Sequence, residues 1–300
     1  MSDIRQNAHD LVCYGEILWD LLPAGARPGG APMNVAYHIH QLGLRPGLIT
    51  RVGQDERGQE LYRILQGKQL DTSLVQEDEE QPTGIVHAVP NAAGDMQYDI
   101  VAPAAWDFIA PDARAMEAVR QSPFFVFGSL ITREVHSRQT LFGLLEVAQQ
   151  KVLDINLRTP FYSPAIIEAL LQQAAIVKMN GEELALMAEW FGAATDQAIA
   201  MEQLRKKFSL STLIVTLGAQ GAMVNQEGSL FRQQGIPVTV ADTVGSGDAF
   251  LAGFLTRLMQ GKPVREALQF ATALGALVAS RVGGWPDYEV GEVEALAAGQ

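Results

Sequence analysis

The sequence DTVGSGD at residues 242–248 stands directly before an apolar pattern that is typical of a helix. Apolar side chains then follow at the i, i+3, i+4 and i+7 spacing of a buried helix face: Leu251, Phe254, Leu255 and Leu258. Two glycines and a serine let the chain turn tightly, so successive N–H groups can converge at the start of this helix. Those groups have no intrahelical partners, and the helix dipole adds to their attraction for anions. The sequence therefore predicts an anion-binding turn that leads into a helix.

A carboxylate stands within this predicted anion site. Asp248 follows the Gly-Ser-Gly turn directly, at a position where a phosphate group would otherwise bind. An acid beside an anion site suggests a base that removes the proton from a hydroxyl attacking a phosphoryl group. We therefore interpret Asp248 as a candidate catalytic base.

Short apolar runs alternate with amphipathic segments along the chain, which predicts a mostly parallel sheet flanked by helices. The predicted strands are 11–14, 47–52, 124–127, 152–155, 175–179 and 213–217. The predicted helices between them are 35–42, 59–70, 139–149, 181–190 and 201–208. Residues 83–98 break this rhythm with a strand, a turn at 91–95 and a second strand, so we expect a hairpin that forms a lid.

Composition restricts the class of function. The net charge is −12, from 34 acidic and 22 basic residues, so we expect no nucleic-acid or anionic-membrane partner. A polyphosphate substrate would need a divalent cation in this field, and Mg²⁺ would satisfy that need. The single cysteine, Cys13, excludes an internal disulfide, and the polar start and short apolar runs favour a cytoplasmic protein.

The turn closely resembles the DTxGAGD signature of the PfkB/ribokinase family of carbohydrate kinases. The segment GGAPMN at residues 29–34 resembles the family's GGxxxN element. Its glycines, Gly29 and Gly30, allow close backbone approach to a ligand, and Asn34 offers a donor and an acceptor for vicinal sugar hydroxyls. Upstream, GEILWD at residues 15–20 resembles the strand end where the family places a sugar-binding aspartate, here Asp20.

Two further segments resemble family motifs near the phosphates. DINLR at residues 154–158 is similar to DxNxR, and Arg158 is thereby implied to neutralise charge near the transferred group. NGEE at residues 180–183 is similar to NxxE, which implies that Asn180 lies near the phosphates and that Glu183 acts through Mg²⁺-bound water. Taken without the resemblance, the same four residues predict a helix capping box.

A third segment resembles the family's nucleotide site. TLGAQG at residues 216–221 is similar to TxGxxG, which implies nucleotide contacts from Thr216, Gly218 and Gly221. K⁺ binding near Asp242, Thr243 and residues 279–284 is a hypothesis from the same resemblance.

The resemblance implies a ribokinase-like three-layer α/β/α fold with a mainly parallel central sheet. It implies one kinase domain over residues 1–300, with β-lid excursions at about 16–37 and 83–110. The implied activity is ATP-dependent phosphorylation of a sugar hydroxyl. Asp248 would be the base, and the N–H groups of Gly245, Ser246, Gly247 and Asp248 would stabilise the transferring group.

The motifs look most like the fructokinase branch, which makes D-fructose to fructose 6-phosphate the expected reaction. Ketodeoxygluconate kinase and ribokinase are alternatives, and so is a non-catalytic sugar-binding regulator. The intact Asp248, Arg158 and NxxE segment speak against the regulator. A P-loop NTPase and a dinucleotide-binding dehydrogenase lack their GxxxxGK[ST] and GxGxxG fingerprints here. Expected partners are the sugar and ATP, and dimerisation through the lid stays open.

Overall fold

A computed structural model of the chain describes residues 8–22, 25–90 and 96–299. The strands are β1 (Leu11–Tyr14), β2 (Leu18–Leu22), β3 (Gly25–Gly29), β4 (Pro46–Gly53), β5 (Val75–Asp78), β6 (Gly84–Pro90), β7 (Met96–Ile100), β8 (Phe124–Gly128), β9 (Gln150–Asp154), β10 (Ile176–Asn180), β11 (Thr212–Thr216), β12 (Ala222–Gln226) and β13 (Ser229–Gln233). The helices are α1 (Ala31–Gln41), α2 (Glu56–Gly67), α3 (Ala113–Gln121), α4 (Val135–Leu145), α5 (Pro164–Leu171), α6 (Gly181–Phe191), α7 (Gln197–Lys207), α8 (Ser246–Met259), α9 (Val264–Ala279) and α10 (Val290–Ala298). Each strand and helix predicted from the sequence is present; the bounds of β1 are those predicted, and the ends of the others differ by at most four residues.

Nine strands form the central sheet, in the order β13-β12-β11-β10-β9-β8-β1-β4-β5. In this order, the strands from β11 across to β5 pair in parallel, and β12 and β13 add an antiparallel edge. Strand β1 lies inside the sheet, where Leu11 is level with Pro46 on one side and Phe124 on the other. Because parallel strands end at the same edge, the segments that follow β1, β9, β10 and β11 meet there.

Four strands form a second sheet, in the order β3-β2-β6-β7, which corresponds to the predicted lid. Strands β6 and β7 pair antiparallel, with Val86 opposite Ile100, as the predicted hairpin requires. The turn predicted at 91–95 lies outside the described residues. The first lid excursion ends at Gly29 and not near residue 37, because Gly30 has a φ of 116° and α1 starts at Ala31 with Pro32 in its first turn.

Helices cover both faces of the central sheet. Helix α8 packs against α1 and α9, and its predicted apolar face is buried at Leu251, Phe254 and Leu255. Burial of a side chain of this size stabilises the fold by about 1.5–3 kcal/mol. This packing fixes the start of α8 at the edge where the parallel strands end. Within the part of the chain that the structure describes, no helix is both long and apolar enough to cross a membrane.

Candidate active site

A cavity of about 490 Å³ lies between the carboxyl edge of the central sheet and the lid. This volume suits a small-molecule ligand. Its walls contain most of the predicted site residues: Asp20, Gly30, Asn34, Arg158, Asn180, Thr216, Asp242, Gly245, Gly247 and Asp248. A larger cleft of about 820 Å³, beside Arg51 and Asp78, contains none of them.

Asp248 lies in the first turn of α8 and is only 8% exposed. The Nδ2 atom of Asn34 donates a hydrogen bond to its Oδ2 atom at 2.7 Å. Burial raises the pKa of Asp248 to about 6, while the facing ammonium of Lys178 lowers it and the carboxylate of Asp154 raises it. The carboxylate is therefore ionised at neutral pH and more basic than a free aspartate, which suits a general base.

In the turn before α8, fewer N–H groups are available to an anion than the sequence predicts. Gly245 has a φ of 76°, and a Cβ there would lie 2.7 Å from Cα of Gly284, in the loop between α9 and α10 that we call the C-terminal loop (280–289). The N–H of Ser246 donates to the carbonyl of Thr243 at 3.3 Å, so this group closes the turn instead of facing a ligand. The N–H groups of Gly247 and Asp248 lie in the first helical turn, where the helix offers them no acceptor.

Lys178 is a charged residue of the site to which the sequence analysis gave no role. Its Nζ atom lies 3.0 and 2.9 Å from the carboxylate oxygens of Asp154, and the two side chains are 8% and 5% exposed. A Cβ on Gly247 would lie 3.0 Å from Nζ, so the ammonium is directly beneath the turn. Burial favours a lower pKa of Lys178, but Asp154 and Asp248 raise it above its usual range, so the side chain is charged. A lone lysine inside the apolar run 175–179 was the signal in the sequence.

Asp20 projects from the lid strand β2 into the cavity. Burial raises its pKa to about 6, and Arg158, which also lines the cavity, lowers it. A Cβ on Gly29 would lie 2.4 Å from Oδ2 of Asp20, so this glycine makes room for the carboxylate. A Cβ on Gly30 would lie 2.4 Å from the carbonyl oxygen of Glu16. The glycine pair therefore lets the lid strand approach the end of β1.

Glu16 is a second charged residue of the cavity wall that the sequence did not predict. It follows β1 at the cavity wall, and its Oε1 atom accepts a hydrogen bond from the N–H of Ala31 at 3.2 Å. Within the described residues Oε2 has no partner, and burial raises the pKa of Glu16 to about 7. An acid two residues after a buried strand, at the edge where ligands bind in parallel sheets, was the available signal.

The NxxE segment forms a complete capping box at the start of α6. Oδ1 of Asn180 accepts from the N–H of Glu183 at 2.9 Å, and Oε2 of Glu183 accepts from the N–H of Asn180 at 2.8 Å. The Oε1 atom of Glu183 accepts from the N–H of Leu157 at 2.8 Å. Asn180 lines the cavity and Glu183 lies behind it, so a role of Glu183 through water on Mg²⁺ stays a prediction.

The three residues of the TxGxxG segment occupy different places. Thr216 ends β11 at the cavity wall. Gly218 and Gly221 lie outside the cavity wall, at the two ends of a short 3₁₀ turn between β11 and β12. Gly221 has a φ of 96°, and a Cβ there would lie 2.1 Å from the carbonyl oxygen of Gln233. Gly221 is therefore required by the turn itself, and nucleotide contacts from Gly218 and Gly221 stay a prediction.

Asp242 joins the turn to two other segments. Its Oδ1 atom accepts from the N–H of Val244 at 3.0 Å, and its Oδ2 atom accepts from the N–H of Gly283 at 3.1 Å. Arg27 of the lid strand β3 reaches the same Oδ2 atom at 3.4 Å. Asp242 therefore holds the turn before α8 against both the C-terminal loop and the lid.

Comparison with known proteins identifies the family. The profile described as "pfkB family carbohydrate kinase" matches residues 8–289. The chain belongs to this family. As a pfkB-family kinase it is 30% identical to the fructokinase of Klebsiella pneumoniae over 90% of this chain and 92% of that enzyme. It is 28% identical to fructokinase-1 of Oryza sativa subsp. japonica over 95% of this chain and 96% of that protein.

Solved structures confirm the ribokinase-like fold of this pfkB-family kinase. Fructokinase of Xylella fastidiosa with bound ATP superposes with a TM-score of 0.85 at 22% identity, covering 96% of this chain and 98% of that one. Fructokinase of Vibrio cholerae O395, in its fructose, ADP and calcium ion bound form, superposes with a TM-score of 0.82 at 25% identity, over 96% and 98% of the two chains.

Proposed function

We propose that this kinase transfers the γ-phosphoryl group of ATP to a hydroxyl of D-fructose and forms fructose 6-phosphate. The observation that carries the proposal is the buried carboxylate of Asp248 at the start of α8, in the same cavity as Asp20. A base beside unpaired helix N–H groups suits transfer of an anionic group to a hydroxyl. The choice of fructose rests on the motifs and on the similarity to fructokinases.

The sugar lies between the lid and the start of α8, with Asp20 accepting hydrogen bonds from its hydroxyls. Asp248 takes the proton of the attacking hydroxyl while that oxygen bonds to the γ-phosphorus. The bond between the γ-phosphorus and the β–γ bridging oxygen breaks, and ADP leaves with its electron pair. The N–H groups of Gly247 and Asp248, with the charge of Lys178 beneath them and of Arg158 at the wall, stabilise the transferring group.

Mg²⁺ bound with ATP neutralises the charge of the phosphates. Glu183, behind the cavity wall, would hold the ion through bound water, and Asn180 at the wall would lie near the phosphates. K⁺ activation is a separate prediction. The two segments it would need lie side by side, but the Ala279 carbonyl already accepts the N–H of Ala241 at 2.9 Å and that of Asp242 at 3.2 Å. Equal rates of ADP release in potassium and tetramethylammonium buffers would contradict the prediction of K⁺ activation.

The test is ADP release with ATP and Mg²⁺ over D-fructose, D-ribose, 2-keto-3-deoxygluconate, adenosine and aminoimidazole riboside. We expect D-fructose to give the highest kcat/KM, and phosphoglucose isomerase coupling to identify fructose 6-phosphate. Higher turnover with another acceptor would contradict the choice of fructose but leave the kinase mechanism. Sugar binding by calorimetry without any turnover would favour the non-catalytic regulator.

A substitution at Gly29 tests the placement of the sugar against Asp20. Gly29→Ala should displace the Asp20 carboxylate, since the new Cβ would lie 2.4 Å from Oδ2. Losing a hydrogen bond to a charged group should raise KM for the sugar by about 10- to 100-fold, and KM for ATP should stay near wild type. Gly143→Ala is the matched control, because a Cβ there, in α4, meets nothing within 4 Å. An unchanged sugar KM in Gly29→Ala would contradict the placement.

A further inference from the structure

The loop that follows α9 is held tightly against α1. The ring of Trp285 stacks on Tyr37, with centroids 5.6 Å apart and an interplanar angle of 13°. The Nε2 atom of His38 lies 3.0 Å from the carbonyl oxygen of Gly284, and its Nδ1 atom lies 3.1 Å from the hydroxyl of Tyr288. Because the carbonyl can only accept, Nε2 carries the proton and Nδ1 accepts from the hydroxyl. Trp285 is therefore fixed in position by its neighbours on both sides.

The indole of Trp285 contacts the residue that binds the proposed base. Its Nε1–H donates to Oδ1 of Asn34 at 2.5 Å, and Nδ2 of Asn34 donates to Oδ2 of Asp248 at 2.7 Å. An amide can face its neighbours in two ways, but an indole N–H can only donate. The amide oxygen must therefore face Trp285, and the amide nitrogen must face Asp248.

We propose that Trp285 is a positioning residue for phosphoryl transfer, which fixes the amide of Asn34 so that its N–H holds the Asp248 carboxylate. This rests on the proposed function, in which Asp248 is the base. Each polar atom of Asn34 thus has one protein partner, and contacts of its second N–H and second lone pair with sugar hydroxyls stay a prediction.

The hydrogen bond from Asn34 stabilises the ionised form of Asp248. The other groups that face this carboxylate are Lys178, Asp154, Arg158, Glu16 and Cys13. Burial raises the pKa of Asp248 most, Lys178, Asn34 and Arg158 lower it, and Asp154 raises it. In the part of the chain that the structure describes, the indole N–H of Trp285 is hydrogen-bonded to Asn34 and to none of these groups, so we expect removal of this donor to act on the carboxylate through Asn34.

The test is Trp285→Phe, which keeps an aromatic ring on Tyr37 and removes the donor. Without the indole donor, the amide of Asn34 is no longer held and its hydrogen bond to the Asp248 carboxylate should be lost. The acid limb of the pH profile of kcat/KM for the sugar should then move to higher pH by about one unit. Asn34→Ala should move it in the same direction, and Trp285→Phe should then add no further shift. An unmoved limb in Trp285→Phe, or an equal shift in the Asn34→Ala background, would overturn the proposal.

A measurement without turnover separates this proposal from the proposed function. In protein labelled with ¹⁵N-tryptophan, the Trp285 indole resonance is identified among the four by its loss in Trp285→Phe. Its shift should titrate near pH 6 in the wild type and should not titrate in Asp248→Asn. If the indole resonance still titrates in Asp248→Asn, the positioning role of Trp285 through Asn34 is overturned. If the resonance titrates as predicted but the protein phosphorylates no sugar, the contact from Trp285 through Asn34 to Asp248 is supported and the proposed function is rejected.

Discussion

Asp248→Asn is expected to lower kcat by about 10²- to 10⁴-fold, because the amide cannot take the proton of the attacking hydroxyl. The same variant should be more stable than the wild type at pH 7. Burial raises the pKa of Asp248 from 3.8 to about 6, so the ionised carboxylate disfavours the folded state. That raised pKa contributes stability below about pH 4, which is lost as the pH rises through 6. At neutral pH the gain of the variant should be at most about 3 kcal/mol.

Initial rates of ADP release and urea unfolding at pH 4 and pH 7 measure the two effects. Asp196→Asn is the matched control, since Asp196 caps α7 by accepting the N–H of Ile199 at 3.0 Å and asparagine caps equally well. We expect the control to keep wild-type turnover and stability. Turnover of Asp248→Asn within about tenfold of wild type would mean that another group is the base.

The parts of the fold that could be predicted from the sequence are those written in local patterns. The apolar spacing after Asp248 predicts α8 because a buried helix face repeats along the chain itself. The apolar run at 124–127 predicts a strand for the same reason, and the observed strand is Phe124–Gly128. The glycine turn predicts its place at a helix start, although not that Ser246 closes it with Thr243.

The contacts that tune the site could not be predicted, because their partners are far apart in sequence. Trp285 reaches Asn34 across 251 positions, and Asn34 reaches Asp248 across 214. Lys178 pairs with Asp154 because β9 and β10 are neighbours in the parallel sheet with these residues in register. Such pairings follow from sheet order and from the packing of α1 against α8, which no local spacing encodes.

Lys178→Met is expected to destabilise the fold by about 3–5 kcal/mol, because it leaves the buried carboxylate of Asp154 without its counter-charge. The two side chains are 8% and 5% exposed, so water cannot replace the lost partner. Urea unfolding at pH 7 measures this change. Because a buried pair can often be replaced by apolar side chains at little cost, Lys178→Met with Asp154→Leu should recover most of the lost stability. A single variant as stable as wild type would contradict the buried pair.

The double variant separates the two roles of Lys178. Its ammonium lies 3.0 Å from where a Cβ of Gly247 would be, beneath the turn that we propose to bind the transferring group. The restored fold should therefore still show kcat reduced by about 10²-fold or more, the range for removal of one stabilising donor from a transition state. The pKa of Asp248 should also change, since it loses the lowering effect of Lys178 and the raising effect of Asp154. A stable double variant with wild-type kcat would limit Lys178 to a structural role and leave Gly247, Asp248 and Arg158 as the groups that stabilise the phosphoryl group.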